Sequence, residues 1–366
     1  MKIAILGTRG IPAHYGGFET FAERLALGLS ARGIDVTVFC DSTGAGAPSQ
    51  WNGVTLRYAP VSFGGPLQTV LYDLRCLWAA RSGFDIVYML GYGAAPFCRI
   101  PSLWGTTVWI NPDGVEWARA KWSRVAKLYF RMMEWVSVRT ATRIIADSGA
   151  IAHHLENRQR TSFACSVIPY GCDPIRTPPS TDPLTRWQLR PDEYYLVVCR
   201  LEPENHVLEI LKAFQATRSA KQLIVLGNLA DTPYVRELRS IQDERIRLIG
   251  TVYEQEQLTT LRSYCAAYLH GHSVGGTNPS LLEAMGCRNL VLAHDNPFNR
   301  ETLADCGFFF TRASDLTALI HQVEETSSES LDPLRDRCLA RAESVYSWDG
   351  IIARYCDLIA EVAGKR

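Results

Sequence analysis

The sequence predicts an α/β protein built from two doubly wound parallel sheets, and three observations carry that prediction. Apolar runs of strand length alternate with amphipathic stretches of helix length along most of the chain. The first run, KIAILG, is continuously apolar, as in a strand buried on both faces. The alternation occurs twice, on either side of a stretch rich in Pro, Ser and Thr, and 366 residues leave room for two domains of roughly 100–200 residues each.

In the first half, KIAILG is followed by an amphipathic helix over 18–32 and a second strand, DVTVFC. DIVYML (85–90) and TVWINP (107–112) read as further strands, KWSRVAKLYFRMMEWVSVRTA as a long helix, and RIIADS as another strand. SVIPYGCD closes a first domain over 1–173, and 174–190 reads as a linker. The second domain, 191–345, runs YYLVVCR, a helix at 207–217, QLIVLG, IRLIG, a helix at 254–263, AAYLHG, a helix at 279–286 and NLVLAH. No internal repeat is detectable. SWDGIIARYCDLIAEVAG, within 346–366, is one amphipathic helix. Ligands of doubly wound sheets bind at the carboxyl ends of the strands, so the expected site is a cleft between the two domains.

Composition narrows the function. Lys plus Arg and Asp plus Glu number 38 each, without the basic excess of a nucleic-acid binder. The eleven cysteines form no CxxC and no zinc-type spacing, which predicts reduced, mostly buried thiols in a cytoplasm. No signal peptide or apolar run of membrane-spanning length is visible.

The stretch GTRGIPAHYGGFETFAERL runs from a strand through glycines into a helix, which is an anion-binding arrangement. Gly16 and Gly17 lack a Cβ and admit close approach of a phosphate; the competing reading is a plain turn. The spacing is not the GxGxxG of a dinucleotide fold, and GxxxxGK[ST] is absent. Asp41 ends the second strand, where a ribose-binding acid would lie, so an NAD-dependent oxidoreductase stays open as an alternative. In the second half, VVCRLEPEN places Arg200 at a strand end, where its planar fork suits a diphosphate, or a surface ion pair. In HGHSVGGTNPSLLEAMG, Asn278 is a helix cap and Pro279 the first helical residue, so Gly275, Gly276 and Thr277 bring backbone N–H groups to a helix start. Glu283 follows, a ribose acceptor or an ordinary surface acid.

These motifs resemble glycosyltransferase family 4, retaining enzymes of the GT-B fold. The resemblance is strongest to a bacterial rhamnosyltransferase-like branch that begins GTRGIPAxYGGFET and carries HGHSVGGTNPSLLEAM. It covers nearly the whole chain. It implies two Rossmann-like domains, a nucleotide-sugar donor and no cofactor or required metal, and the chain has no DxD. It implies that the C-terminal helix crosses back to the first domain. Residue by residue, Gly16 and Gly17 match the phosphate-side glycines, Glu19 completes GGFE, and Arg200 matches the diphosphate-binding Arg. Glu283 matches the second Glu of Glu-x7-Glu, and Tyr253 lies where the base edge is bound. Asn205 stands where the family has Lys, and Gly275 where it has the first Glu. Arg200 and the two helix starts would then carry the phosphate charge, helped by Arg9 or Arg300.

On the acceptor side, Asp113 and Glu116 in NPDGVEW form a carboxylate pair at a strand end, able to bind a hydroxyl and take its proton, or else to cap a turn. Arg9, His14 and Glu19 are further acceptor-side candidates. His270 and His272, two apart, share a face; hydrogen-bonding roles are expected, His272 toward the donor sugar and His270 toward the core. The resemblance implies front-face transfer of L-rhamnose from dTDP-L-rhamnose to a lipid-linked saccharide in cell-surface polysaccharide synthesis. A non-catalytic nucleotide-sugar-binding protein is the other alternative. The basic, aromatic stretch 119–131 suits an anionic membrane surface, or is an ordinary amphipathic helix.

Overall fold

The computed structural model describes residues 1–13, 16–41, 48–60, 66–159 and 161–364. The chain divides into two compact units: unit 1 is Met1–Tyr170 with Trp348–Arg366, and unit 2 is Gly171–Ser347.

Unit 1 runs β1 (Lys2–Leu6), α1 (Gly17–Ser30), β2 (Asp35–Asp41), β3 (Gln50–Trp51), β4 (Val54–Ala59), α2 (Pro66–Ala79) and β5 (Ile86–Leu90). It continues through α3 (Arg99–Ser102), β6 (Thr107–Asn111), α4 (Arg124–Thr140), β7 (Arg143–Ala146), α5 (Gly149–Gln159) and β8 (Cys165–Val167). The sheet order is β3-β4-β2-β1-β5-β6-β7-β8, parallel except for the β3–β4 hairpin. β1, β5 and most of β2 are buried along their length, which is why they read as unbroken apolar runs.

Unit 2 runs β9 (Tyr194–Val198), α6 (Val207–Gln215), β10 (Gln222–Leu226), α7 (Pro233–Arg239), β11 (Ile246–Gly250), α8 (Gln255–Ser263) and β12 (Ala267–His270). Then come α9 (Pro279–Gly286), β13 (Val291–His294), α10 (Pro297–Leu303), β14 (Phe308–Phe310), α11 (Ala313–Glu325) and α12 (Ser328–Val345). Its sheet is parallel, in the order β11-β10-β9-β12-β13-β14. A core of Val197, Ile210, Phe214, Leu223 and Leu292, among others, fills the space between sheet and helices. The stretch expected as a linker is not free. Leu184 and Trp187 are buried, Tyr264 Oη donates to the Pro179 carbonyl and Thr260 Oγ1 to that of Ser180, so 179–189 is held against α8. Three large apolar side chains, Leu184, Trp187 and Leu189, outweigh the loop-like composition of this Pro-rich stretch.

The last helix, α13 (Trp348–Ala363), packs in unit 1 on α1, where Ile352 lies against Gly28. Tyr355 reaches the sheet through a 2.8 Å hydroxyl–hydroxyl hydrogen bond to Tyr88, and Asn111 donates to the Tyr88 hydroxyl. All eleven cysteines are free.

In each sheet the strand order reverses once, between β1 and β5 and between β9 and β12. The loops leaving the carboxyl ends of those four strands are where a doubly wound sheet holds its ligand.

Candidate functional site

In unit 2 the two loops of the switch point are tied together. Ser273, after β12, donates from its backbone N–H (3.0 Å) and its hydroxyl (2.9 Å) to the carbonyl of Glu204, after β9. Gly271 makes the approach possible, because a Cβ there would lie 2.0 Å from the Asn205 carbonyl. Asn205 itself is buried and points inward, donating from Nδ2 to the Arg200 carbonyl at 2.6 Å. Asn205 therefore shapes the turn that presents Arg200. The Arg200 side chain is exposed and makes no ion pair with a described residue.

The turn into α9 follows the sequence reading. Asn278 caps the helix, accepting from the Ser280 backbone N–H at 3.0 Å and the Ser280 hydroxyl at 2.8 Å, with Pro279 at the first helical position. Gly275 sits at φ +140° with open space where a Cβ would be. A glutamate there would be strained by the backbone and not by crowding. Gly275, Gly276, Asn278 and His272 line a small hollow with Asn296 and Asn299 of the next loop and helix. Both of those asparagines donate to the His272 carbonyl at 2.9 Å, fixing its backbone. The His272 ring stacks on His270 with centroids 4.8 Å apart. His270 is buried; burial, aided by nearby His294, pushes its pKa down to about 3 and keeps it neutral.

Glu283 has a partner the sequence reading missed. Arg262 of α8, only 2% exposed, holds Glu283 Oε2 at 2.5 Å. Burial opposes the Arg262 charge, but Glu283 and neighbouring Tyr and Cys groups outweigh it, so its pKa is raised. Nothing in LTTLRSYC marks that Arg as buried. Asn296, by contrast, precedes Pro in a readable cap pattern. Tyr253 is exposed after β11, an edge strand two places from the β9–β12 reversal. Arg300 is committed to Asp295 through two contacts of 2.5 and 2.6 Å.

The switch point of unit 1 is filled differently. Glu19, in the first turn of α1, accepts from the Arg9 backbone N–H (3.0 Å) and the Thr8 hydroxyl (3.3 Å). A Cβ on Gly16 would lie 2.0 Å from its Oε2. The protein's own carboxylate thus lies against the glycine turn read as a phosphate site, while the Cβ position of Gly17 is open. Arg9 pairs with Asp41 at 3.5 Å, so the acid that kept a dinucleotide reading open faces a guanidinium. His14 lies outside the described residues.

At the end of β6, Asp113 takes a left-handed conformation, φ +58°, with its N–H bonded to Asn111 Oδ1 at 2.7 Å. Tyr170 donates to Asp113 Oδ1 at 3.3 Å. Arg119, nearly buried, bridges the expected pair: Nε lies 2.7 Å from Glu116 Oε2 and Nη2 3.6 Å from Asp113 Oδ2. Glu116 also meets Lys121 and accepts from Trp122 Nε1 at 2.8 Å. With three partners it acts as a brace, leaving Asp113, 33% exposed in its side chain, the more open carboxylate. Among the described residues no group of three His, Cys, Asp or Glu could hold a metal ion.

The comparisons with known proteins divide along the chain. Residues 1–173 match a domain of unknown function (DUF1972), and residues 186–345 match glycosyl transferases group 1. Solved structures are similar over its full length. Sucrose-phosphate synthase from Thermosynechococcus elongatus superposes with a TM-score of 0.84 at 17% identity, covering 100% of both chains. Anabaena HepE in complex with UDP-glucose gives 0.77 at 19%, covering 99% of this chain and 100% of that one. An α,α-trehalose-phosphate synthase (UDP-forming) from Burkholderia xenovorans in complex with glucose-6-phosphate gives 0.75 at 11%, covering 99% and 100%. No curated protein sequence matches. The shared fold is GT-B.

Proposed function

We propose that this glycosyltransferase, a chain of GT-B fold whose residues 186–345 are a glycosyl transferases group 1 domain, transfers L-rhamnose from dTDP-L-rhamnose with retention, onto a lipid-linked saccharide of cell-surface polysaccharide synthesis. The observation that carries the donor side is Arg200. It is exposed, without an ion-pair partner among the described residues, at the carboxyl end of β9, beside the strand whose loop leads through Gly275, Gly276 and Thr277 into α9. A guanidinium and a helix start at one switch point suit a nucleoside diphosphate.

In this reading Arg200 and the N–H groups before α9 stabilise charge that builds on the leaving diphosphate as the sugar–oxygen bond breaks. The new bond forms on the same face, and the acceptor proton passes to the departing phosphate oxygen. Glu283, fixed by Arg262, accepts from the ribose hydroxyls. His272 faces the sugar and Tyr253 the base, and Asp113 orients the acceptor hydroxyl. No metal is required.

Thermal unfolding with dTDP, UDP and GDP tests the base, and transfer from the matching donor to lipid-linked GlcNAc tests the reaction. Expected are stabilisation by dTDP over UDP and GDP, a product of retained anomeric configuration by NMR, and turnover unaffected by EDTA. The complexes of HepE with UDP-glucose favour a second reading, a UDP-sugar donor. Selective stabilisation by UDP would replace rhamnose with it.

A further inference from the structure

We infer that unit 1 carries a docking face for an anionic phospholipid membrane, formed by α4 with α2 and the end of α3. The face keeps part of the stretch the sequence singled out, Lys121, Arg124, Leu128 and Arg131, but its aromatic residues there turn inward. Between 119 and 131, Arg119 is nearly buried against Asp113 and Glu116, Trp122 donates to Glu116, and Tyr129 donates to the Gly93 carbonyl. Phe130 packs on Tyr92 and Trp122. Those groups face the protein because each has a partner there.

The exposed stripe lies on the other side of the same helix. Val125 (79% exposed), Leu128 (69%), Met132 (53%) and Trp135 (50%) recur at spacings of three and four, which is one helical face. Four large apolar side chains in a row on a solvent face are unusual for a soluble surface. Neighbouring elements repeat the pattern. On α2, Leu71 and Trp78 are exposed; after α3, Leu103 (78%) and Trp104 are exposed, and Trp78 and Trp104 meet edge to face at 6.3 Å. Right-handed crossovers put α2, α3 and α4 on one side of the sheet. α2 touches α3, and the turn Ala95–Cys98 that leads into α3 packs on α4.

Charge selects the occupant. Within 66–81, 95–105 and 117–140 the only acids are Asp73 and Glu134, and both are buried. Arg75, Arg99, Lys121, Arg124, Arg131 and Arg139 are exposed there. Arg139 lies over the Trp135 ring at 3.8 Å and Arg81 over Trp78 at 4.8 Å. An apolar stripe with three tryptophans, ringed by cations and lacking exposed acids, fits the boundary between anionic headgroups and acyl chains. Among the described residues no helix is long and apolar enough to cross a membrane, so the contact is interfacial. It does not depend on which sugar is transferred, and its failure would leave the donor assignment intact.

Flotation of the full chain with vesicles of mixed phosphatidylglycerol and phosphatidylcholine tests it, beside pure phosphatidylcholine vesicles. The expected result is binding to the mixed vesicles at low salt, release at high salt and little binding to the neutral ones. Val125→Glu with Leu128→Glu should lower binding by about tenfold or more, and Arg124→Ala or Arg131→Ala by about fivefold each. All four side chains are solvent-facing, so thermal unfolding should be unchanged. Arg236→Glu, on α7 of unit 2, should bind as the parent does. Absence of flotation at low salt, or flotation indifferent to the double substitution, would overturn the inference. So would self-association in sedimentation velocity that the double substitution abolishes while vesicles are ignored, because the face would then seat a second copy.

Discussion

The two switch points begin from one local pattern, strand, glycines, helix, and end in opposite electrostatic states. In unit 1 the glycine turn already holds a carboxylate, Glu19, and the nearby guanidinium, Arg9, already has Asp41. In unit 2 the turn before α9 is capped by the neutral Asn278, and Arg200 has no ion-pair partner among the described residues. An anion meets a satisfied site in one unit and an unsatisfied one in the other. A glycine-rich helix start is therefore an opportunity for a ligand, and the neighbouring side chains decide whether the protein has taken it itself.

The largest effects expected from this contrast are in pH-dependent stability, where the units should move oppositely. In unit 2, His270 has its pKa lowered by burial to about 3. Its stabilisation is complete above the unfolded value near 6.5 and is lost as pH falls toward 3. In unit 1, Asp73 of α2 is buried, and burial, partly offset by Arg9, raises its pKa to about 7. Its contribution is complete below about 4 and is lost as pH rises through 7. Each difference is worth on the order of 4 kcal/mol. Hydrogen exchange between pH 7 and 4, corrected for intrinsic rates, should show unit 1 gaining protection and unit 2 losing it. His270→Gln and Asp73→Asn should each flatten the slope of their own unit; parallel slopes would break the comparison.

Arg200→Ala should come next, lowering kcat/KM by roughly 100- to 1000-fold, about 3–4 kcal/mol of barrier, with little change in unfolding temperature. Arg9→Ala should stay within about fivefold, since an exposed pair is worth at most ~1 kcal/mol. Steady-state kinetics of the two variants side by side would break the contrast if Arg9 proved the more costly. Glu19→Ala should destabilise unit 1 by about 1.5–3 kcal/mol through its lost charged hydrogen bonds. It should also create a weak phosphate site there, visible by calorimetric titration. Loss of sugar transfer with no loss of stability would instead place Glu19 on a ligand. The smallest effect is Asn278→Ala, about 1 kcal/mol in urea unfolding from the missing cap.

Most of the architecture was legible. Strands buried along most of their length read as largely apolar runs, and β1, β2, β5, β6, β7, β9, β10, β12 and β13 were visible that way; the half-buried edge strand β11 was visible as IRLIG. The short β3 and β14, two and three residues long, gave no periodicity to detect, and β4 alternates between buried and solvated positions. Within the expected linker 174–190, the stretch 179–189 had loop composition, yet Leu184, Trp187 and Leu189 are buried, and composition does not say whether a core is within reach. At the candidate site, the Asn278 cap and the turn before it followed from local chemistry, as did Arg200 at a strand end. Glu116 and Glu19 looked equally available and are not, because Arg119, Trp122 and the Arg9 amide are brought to them by folding.

Sequence alone determined the two-sheet plan, the places where glycines and caps open a helix, and the absence of zinc-type cysteine spacing. All of these depend on neighbours a few residues apart. Tertiary structure decided which charges are already spoken for and which way each side of α4 points. Those outcomes depend on partners distant in the chain, such as Arg262 for Glu283, and on what each buried side chain found to pack against. An ion pair or a buried face is a relation between segments, and no single segment contains it.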